Sequence, residues 1–232
     1  MKKNFLKFLL VVLFLILIAT IYLSTIGIET KRLNKQIINI ISIYSEGIET
    51  ELKQIKIILD PFKFEINAKT TSPKFKIKEK TIEMESIKTQ ISIKSLINNQ
   101  FSLKNLDIST KSLEIKNLIS FARNFQNNTE LYLLEKIIKK GYLISDIYLE
   151  FDQQGKIKKN YKINGFIKNG KINLLNKYDL KNIDLLFNYT HNRLELNDTK
   201  LNLNNTPLIS KNILIKNIDN IFLIEGSIKN KD

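Results

Sequence analysis

Between Phe62 and Ile115 apolar and polar residues alternate almost without interruption. Phe62, Phe64, Ile66 and Ala68 share one parity, and Lys63, Glu65, Asn67 and Lys69 the other. The rhythm returns at Phe75 and Ile77, at Ile82 and Met84, from Ile87 through Ile91 to Ile93, at Leu103, Leu106 and Ile108, and at Leu113 and Ile115. Successive side chains of a strand point to opposite faces, so period two predicts strands with one apolar and one wet face. An apolar face of this size must be covered, because an exposed one invites aggregation. Two apolar steps of three, Met84 to Ile87 and Leu103 to Leu106, break the parity. A β-bulge or a very tight turn at each would restore the facing and bend the sheet.

Ahead of this stretch lies a run with a different period. Phe8 to Leu23 carries no charge and one polar residue, Thr20. About 20 such residues cross the hydrocarbon layer as a helix. Phe8, Leu13, Leu17 and Leu23 are assigned to this anchor, which we place at residues 1–28. A cleaved signal peptide would have an apolar core of roughly 7–15 residues and a small-x-small cleavage site. Ala19-Thr20-Ile21 and Ser24-Thr25-Ile26 are poor sites of that kind, so a retained anchor is expected. Lys2, Lys3 and Lys7 favour a cytoplasmic N-terminus, although Lys31, Arg32 and Lys35 follow the run and weaken the bias. The expected topology is a single pass in a bacterial inner membrane with the C-terminal domain in the periplasm. Residues 29–47 are expected to form an amphipathic helix, with Leu33, Ile37, Ile40, Ile41 and Tyr44 on one side, that caps the end of the sheet.

Strands are expected over 48–117, followed by a helical insert over 118–141. Leu118 and Ala122, then Leu131, Leu134 and Ile138, supply its apolar stripes, Thr129 a cap, and Gly141 its end. Strands resume over 142–232. Ile147, Leu149 and Phe151 alternate, and Ile183, Leu185, Phe187 and Tyr189 lead to a turn at His191-Asn192. Asn169-Gly170, between two apolar-bearing runs, is the strongest hairpin signal in the chain. The frame aromatic-x-Ile-x-Gly-x-Ile-Lys-Asn occurs at Tyr161–Asn169 and again at Phe222–Asn230, as expected of a sheet that grows by repeated units.

The net charge of +14 raises the question of nucleic acid or anionic lipid. No nucleic-acid motif accompanies it, and the lysines fall on alternate strand positions, which predicts a solvated outer face. No nucleic-acid partner is expected. Cysteine is absent, which excludes a disulfide, a thiolate nucleophile and a thiolate metal site. His191 is the one histidine, at an expected turn tip with no carboxylate cluster beside it. Glu83 and Glu85 share the wet side of a strand, as solvated carboxylates do. Neither a phosphate-binding glycine loop nor a metal-ligand spacing is present. No catalytic residue, metal or cofactor is therefore predicted, and the chain is read as a non-enzyme.

The combined pattern resembles the AsmA-like family of membrane-anchored proteins, which includes TamB-type and YhdP-type members. The likeness rests on the N-terminal anchor leading into strands and on Pro73-Lys74-Phe75-Lys76-Ile77, Ile91-Ser92-Ile93-Lys94-Ser95-Leu96 and Leu106-Asp107-Ile108. It continues in the Gly-centred runs Gly165–Ile172 and Phe222–Ile228. The resemblance implies a mainly β fold: a transmembrane helix, then an elongated, curled antiparallel sheet shaped like a taco, with a capping helix and a helical insert. It also implies phospholipid transport or outer-membrane maintenance, with membrane phospholipid acyl chains in the groove. The residues expected to line that groove are Phe62, Phe64, Ile66, Phe75, Ile77, Ile82, Met84, Ile91, Ile93, Leu103, Ile108, Leu113, Ile115, Phe151, Ile163, Phe187, Phe222 and Ile224. About a dozen strands at roughly 4.8 Å would make it of the order of 55–60 Å long. The alternation by itself equally permits a closed β-sandwich. Other readings are an anchored interaction module that pairs with an envelope protein through a strand edge, and an LptC-like component of lipopolysaccharide transport.

Overall fold

The computed structural model describes residues 2–31, 34, 38, 47–98, 100, 103–124, 128–174, 177–218 and 221–231. Helix α1 (Lys2–Thr25) contains a 22-residue apolar segment, Asn4–Thr25, of mean hydropathy 2.8, long and apolar enough to cross a membrane. Its threonine and serine hydroxyls are satisfied within the helix. Thr20, Ser24 and Thr25 donate to the carbonyls of Ile16, Thr20 and Ile21 at 2.7–2.8 Å, as a helix without water around it requires. The capping helix expected over 29–47 falls largely outside the described residues. The first of those positions, through Thr30, belong to a strand.

Among the described residues the strands that follow build one antiparallel sheet of fifteen strands. The first half contributes β1 (Ile28–Thr30), β2 (Glu49–Glu51), β3 (Ile55–Asp60), β4 (Glu65–Thr71), β5 (Lys74–Ile77), β6 (Lys80–Ser92), β7 (Leu103–Thr110) and β8 (Leu113–Glu114). The second contributes β9 (Ile138–Glu150), β10 (Lys162–Leu174), β11 (Tyr178–Thr190), β12 (Arg193–Leu203), β13 (Thr206–Ile218), β14 (Ile221–Gly226) and β15 (Lys229–Asn230). Eleven strands form one unbroken path, β1-β3-β4-β6-β7-β9-β10-β11-β12-β13-β14. Strands β5 and β2 extend the N-terminal half of β6 as a side ladder. The two expected strand regions are thus one sheet, joined where β7 pairs with β9 across the helical insert.

Both parity breaks are bulges. The β6–β7 register shifts between Met84 and Ser86 and between Gln90 and Ile91, so Met84, Ile87, Ile91, Leu103 and Leu106 all return to one face. Asn169-Gly170, in contrast, does not turn the chain. It lies inside the 13-residue β10 as a bulge with Asn169 at φ 52°. Asn182 in β11 and Asp198 in β12 take the same left-handed conformation at φ 52° and 49°, and register shifts accompany them. Asparagine and aspartate tolerate this region because their short side chains bond locally. Three successive strands are therefore kinked at neighbouring positions, and bulges that line up curl a sheet.

Asp184 locks this crease. Its carboxylate accepts the Asn169 backbone N–H and the Lys168 ammonium, each at 2.8 Å. Burial raises the carboxyl's pKa, but Lys168 and the Asn169 amide outweigh it and hold the group below the usual aspartate value. Asp184→Asn is expected to cost about 1–2 kcal/mol, read as a lower thermal midpoint in detergent. A depressed carboxyl contributes stability above its unfolded pKa and loses it as pH falls through the folded one. The variant and parent curves should therefore converge below about pH 4.

The helical insert begins and ends earlier than expected. Helix α2 (Ile93–Ile97) is a single short turn after β6. Helices α3 (Ile115–Arg123) and α4 (Thr129–Ile137) form the insert. Asn128, not Thr129, caps α4, its side chain accepting the Leu131 amide at 2.9 Å. Gly141 lies within β9, where a Cβ would stand 3.2 Å from the Gly170 Cα, so it permits two strands to approach instead of ending a helix. Helix α3 packs on β6, β8 and β9. Ile77, Ile82, Leu113, Ile119 and Ile183 are buried at this end of the sheet.

Candidate functional site

Partners across a ladder share a face, so the register traces each face across the sheet. One row runs Thr30, Ile55, Thr70, Ile87, Ile108, Ile147, Ile163, Tyr189, Leu194, Ile215, Ile224, one residue from each of the eleven strands. Eight of these are Ile or Leu. A second row on the same face runs Ile28, Ile57, Ala68, Thr89, Leu106 and Leu149. A third continues through Ser145, Gly165, Phe187, Leu196 and Ile213 to Gly226. The apolar face is continuous from the first strand to the last. Ten inter-strand spacings make it about 48 Å long.

The first row is buried at Ile55 and Thr70 on β3 and β4; from β6 onward it is sheltered but not sealed. Ile87, Ile108, Ile147, Ile163, Phe187 and Ile215 are each half-buried. Among the described residues, substantial strand–strand packing occurs between ladder neighbours alone, and β1 does not pair with β14. A sandwich would place a second sheet about 10 Å away; here no second layer is present among the described residues. The sheet is open; among the described residues α3 packs over the end that holds Ile77 and Ile82, and α4 makes lesser contacts with β9 and β10.

The expected groove residues divide into three groups. Ile66, Met84, Ile91, Leu103, Ile108, Ile163, Phe187 and Ile224 lie on the apolar face. Phe151, half-buried, continues it just beyond β9, and Phe222 shares the parity of Ile224 at the far edge. Phe75, Ile77, Ile82 and Leu113 also lie on it, but at the end beneath α3, where Ile77, Ile82 and Leu113 are core instead of lining. Four residues are not on the sheet. Phe62 and Phe64 occupy the β3–β4 turn at 97% and 66% exposure, with Phe64 at φ 55°. Ile93 opens α2, its amide donating to the Phe64 carbonyl at 3.0 Å, and Ile115 opens α3, its Cδ1 beside Gly141. Alternation continues through a turn or a helix start as readily as through a strand, so parity alone did not separate them.

The other face is mostly wet, although Ile144, Phe166 and Leu186 make an apolar patch on β9–β11. Glu29, Lys56, Lys69, Lys88, Asp107, Tyr148, Lys162, Thr190, Arg193 and Lys216 form the row behind the apolar one. Lysines spaced along the sequence thus meet side by side, bounded by Glu29 and Asp107. A shallow cleft of about 560 Å³ on this side is lined by Gln90, Asn105, Tyr148, Glu150 and Lys158 among others. Its polar groups are occupied with one another. Asn105 and Gln90 exchange two hydrogen bonds of 3.0 Å. The Tyr148 hydroxyl donates to Glu150 at 2.6 Å and, with Asn160 and Lys158, holds that carboxyl below its usual range. Asp60 and Glu65 face each other across β3 and β4, with Glu65 buried and paired to Lys104. Glu83 pairs with Lys111 at 2.9 Å. His191 lies in the β11–β12 turn with its ring edge-on to Tyr161. Among the described residues, no group of three or more histidines and carboxylates is arranged to hold a metal.

No protein-family model, curated protein or solved structure matches this chain.

Proposed function

We propose that this chain is a membrane-anchored lipid-binding and transfer protein of AsmA-like type, contributing to phospholipid transport or outer-membrane maintenance from the periplasmic side of a bacterial inner membrane. The observation that carries this reading is the apolar row along the eleven-strand path of the open sheet, buried at Ile55 and Thr70 near its start but only half-buried from Ile87 on β6 to Ile215 on β13. An acyl chain laid on that row would bury what a second sheet buries in a sandwich. Each methylene removed from water contributes about 0.8 kcal/mol, so even part of a chain binds appreciably. From Ile87 to Ile163 the row has no hydrogen-bonding side chain, so a chain sliding along it meets no unique polar contact and no deep trap. The headgroup stays at the strand ends, in water. The chemistry is binding without covalent change. A face of about 48 Å is short for carrying lipid across a whole periplasm unaided, which implies a handover at the far end.

The test is native mass spectrometry of the full chain after gentle detergent extraction. Wild type should carry phospholipid. Ile108→Asp and Ile163→Asp, which place a charge in mid-row, should lose at least nine-tenths of it, since each carboxylate costs roughly 3 kcal/mol against an apolar ligand. Phe64→Asp should retain it, because that side chain sits in a turn. A wild type free of lipid, or an Ile108→Asp variant as loaded as wild type, would sink the proposal.

A further inference from the structure

The two edges of the sheet are built differently. At the proximal edge β1 has three residues and follows directly on α1; short edge strands are one protection against unwanted pairing. At the distal edge β14 has no such protection among the described residues. All six of its residues are exposed, including Ile221, Phe222, Leu223 and Ile224. It contains no proline or lysine, and its one charge, Glu225, is engaged inward with Lys216 at 3.6 Å. Strand β14 also repeats the frame of β10, and the two run in the same direction with Ile163 and Ile224 in one row. In β10 that frame has an occupant on its forward edge. Strand β11 places Tyr189 opposite Ile163 and Phe187 opposite Gly165. The Phe187 ring lies on the glycine, its Cζ 2.9 Å from where a Cβ would be.

We infer that the forward edge of β14 pairs with β14 of a second copy of this chain, antiparallel, with Ile224 opposite Ile224. Each step forward on one strand is a step back on the other, so this register sets Phe222 of each copy against Gly226 of its mate. An aromatic then lies on a glycine beside an apolar pair, which is the arrangement that β10 and β11 make within one chain. The pairing is isologous and closes, so it uses up the free edge without leading to a fibre. The two-fold axis stands perpendicular to the sheet and puts both apolar faces on the same side. It does the same for the anchors. Helix α1 reaches the sheet through Gly27 and packs on β3, and a two-fold axis along the sheet normal keeps both anchors on one side of the joined sheet, as two helices in one membrane must.

Because cysteine is absent, single-cysteine variants of the full chain report the register. Directly opposed Cβ atoms are about 5 Å apart and diagonal ones roughly 7–8 Å, and a disulfide needs about 4 Å. In detergent under mild oxidation, Ile224→Cys should give disulfide dimer at least about tenfold faster than Leu223→Cys, whose nearest copy is diagonal. Ile224→Lys should shift the mass by light scattering from dimer to monomer while the circular dichroism spectrum at room temperature stays that of the parent, since the side chain is exposed in the single chain. A monomeric wild type at every concentration overturns the inference. So does faster crosslinking of Leu223→Cys, a dimer insensitive to Ile224→Lys, or a stoichiometric strand from a different polypeptide on this edge. None of these readings involves lipid, so the result stands apart from the groove.

Discussion

Ile82→Asp is expected to unfold the helical end of the sheet at room temperature, whereas Ile108→Asp leaves the chain folded. Both residues belong to β6 or its neighbour β7, and both point to the apolar face. Their surroundings differ. Ile82 is 3% exposed, in a patch with Ile77, Leu113 and Ile119 that α3 covers. Removing its side chain forfeits about 2–5 kcal/mol, and an unpaired carboxylate sealed in the cavity adds several more. That sum approaches the whole stability of an ordinary domain, roughly 5–15 kcal/mol. Ile108 is half-buried on the open stretch, so an aspartate there keeps part of its hydration shell and costs about 1–2 kcal/mol. Thermal melts followed by circular dichroism in the same detergent measure both. Equal losses in the two variants would mean that the face is closed along its whole length. Loss at Ile82 alone would locate the boundary between core and open face at α3.

The strand content, the apolar helix and the long apolar face were legible because each depends on local period. Phe8 to Leu23 has no charge, and Ile66, Ile91, Ile108, Ile163 and Phe187 keep parity through two bulges that the steps of three announced. What was not legible depends on neighbours distant in sequence. Asn169-Gly170 has the residues of a tight turn, yet β11 and β9 pair with both sides of it, and Asp184, fifteen residues on, holds the Asn169 amide. The same dipeptide therefore serves as bulge or hairpin according to what stands beside it. Ile77 and Ile82 carry the same pattern as Ile108, and the helix that makes them core lies over thirty residues further on. The lysines were read as dispersed because they alternate along each strand. Lys56, Lys69 and Lys88 become neighbours only through the register of β3, β4 and β6. The run Phe62-x-Phe64 failed for a simpler reason. Alternation says nothing about where a strand begins, and both rings belong to the turn before β4.

A β-branched residue at Gly165 should be the most damaging single change in the distal half of the sheet. The position sits in the third apolar row, between Ser145 and Phe187. A Cβ there would stand 2.3 Å from the Ile144 carbonyl oxygen and 2.9 Å from Phe187 Cζ. The ring can rotate away, but the carbonyl belongs to the β9–β10 ladder and moves only if the strands separate. Gly165→Val is therefore expected to cost about 3 kcal/mol or more, at or beyond the upper end of ordinary overpacking. Gly165→Ala should lose nearly as much, because the clash is made by the Cβ itself. Combining Gly165→Ala with Phe187→Ala separates the two contacts. Removing the ring relieves one of them and leaves the carbonyl, so the double variant should recover only part of the loss. Full recovery would show that the glycine serves the aromatic alone. Partial recovery would show that it also lets β9 and β10 approach, so that one residue without a side chain sets both the closeness of two strands and the seating of Phe187 on the face proposed to hold lipid.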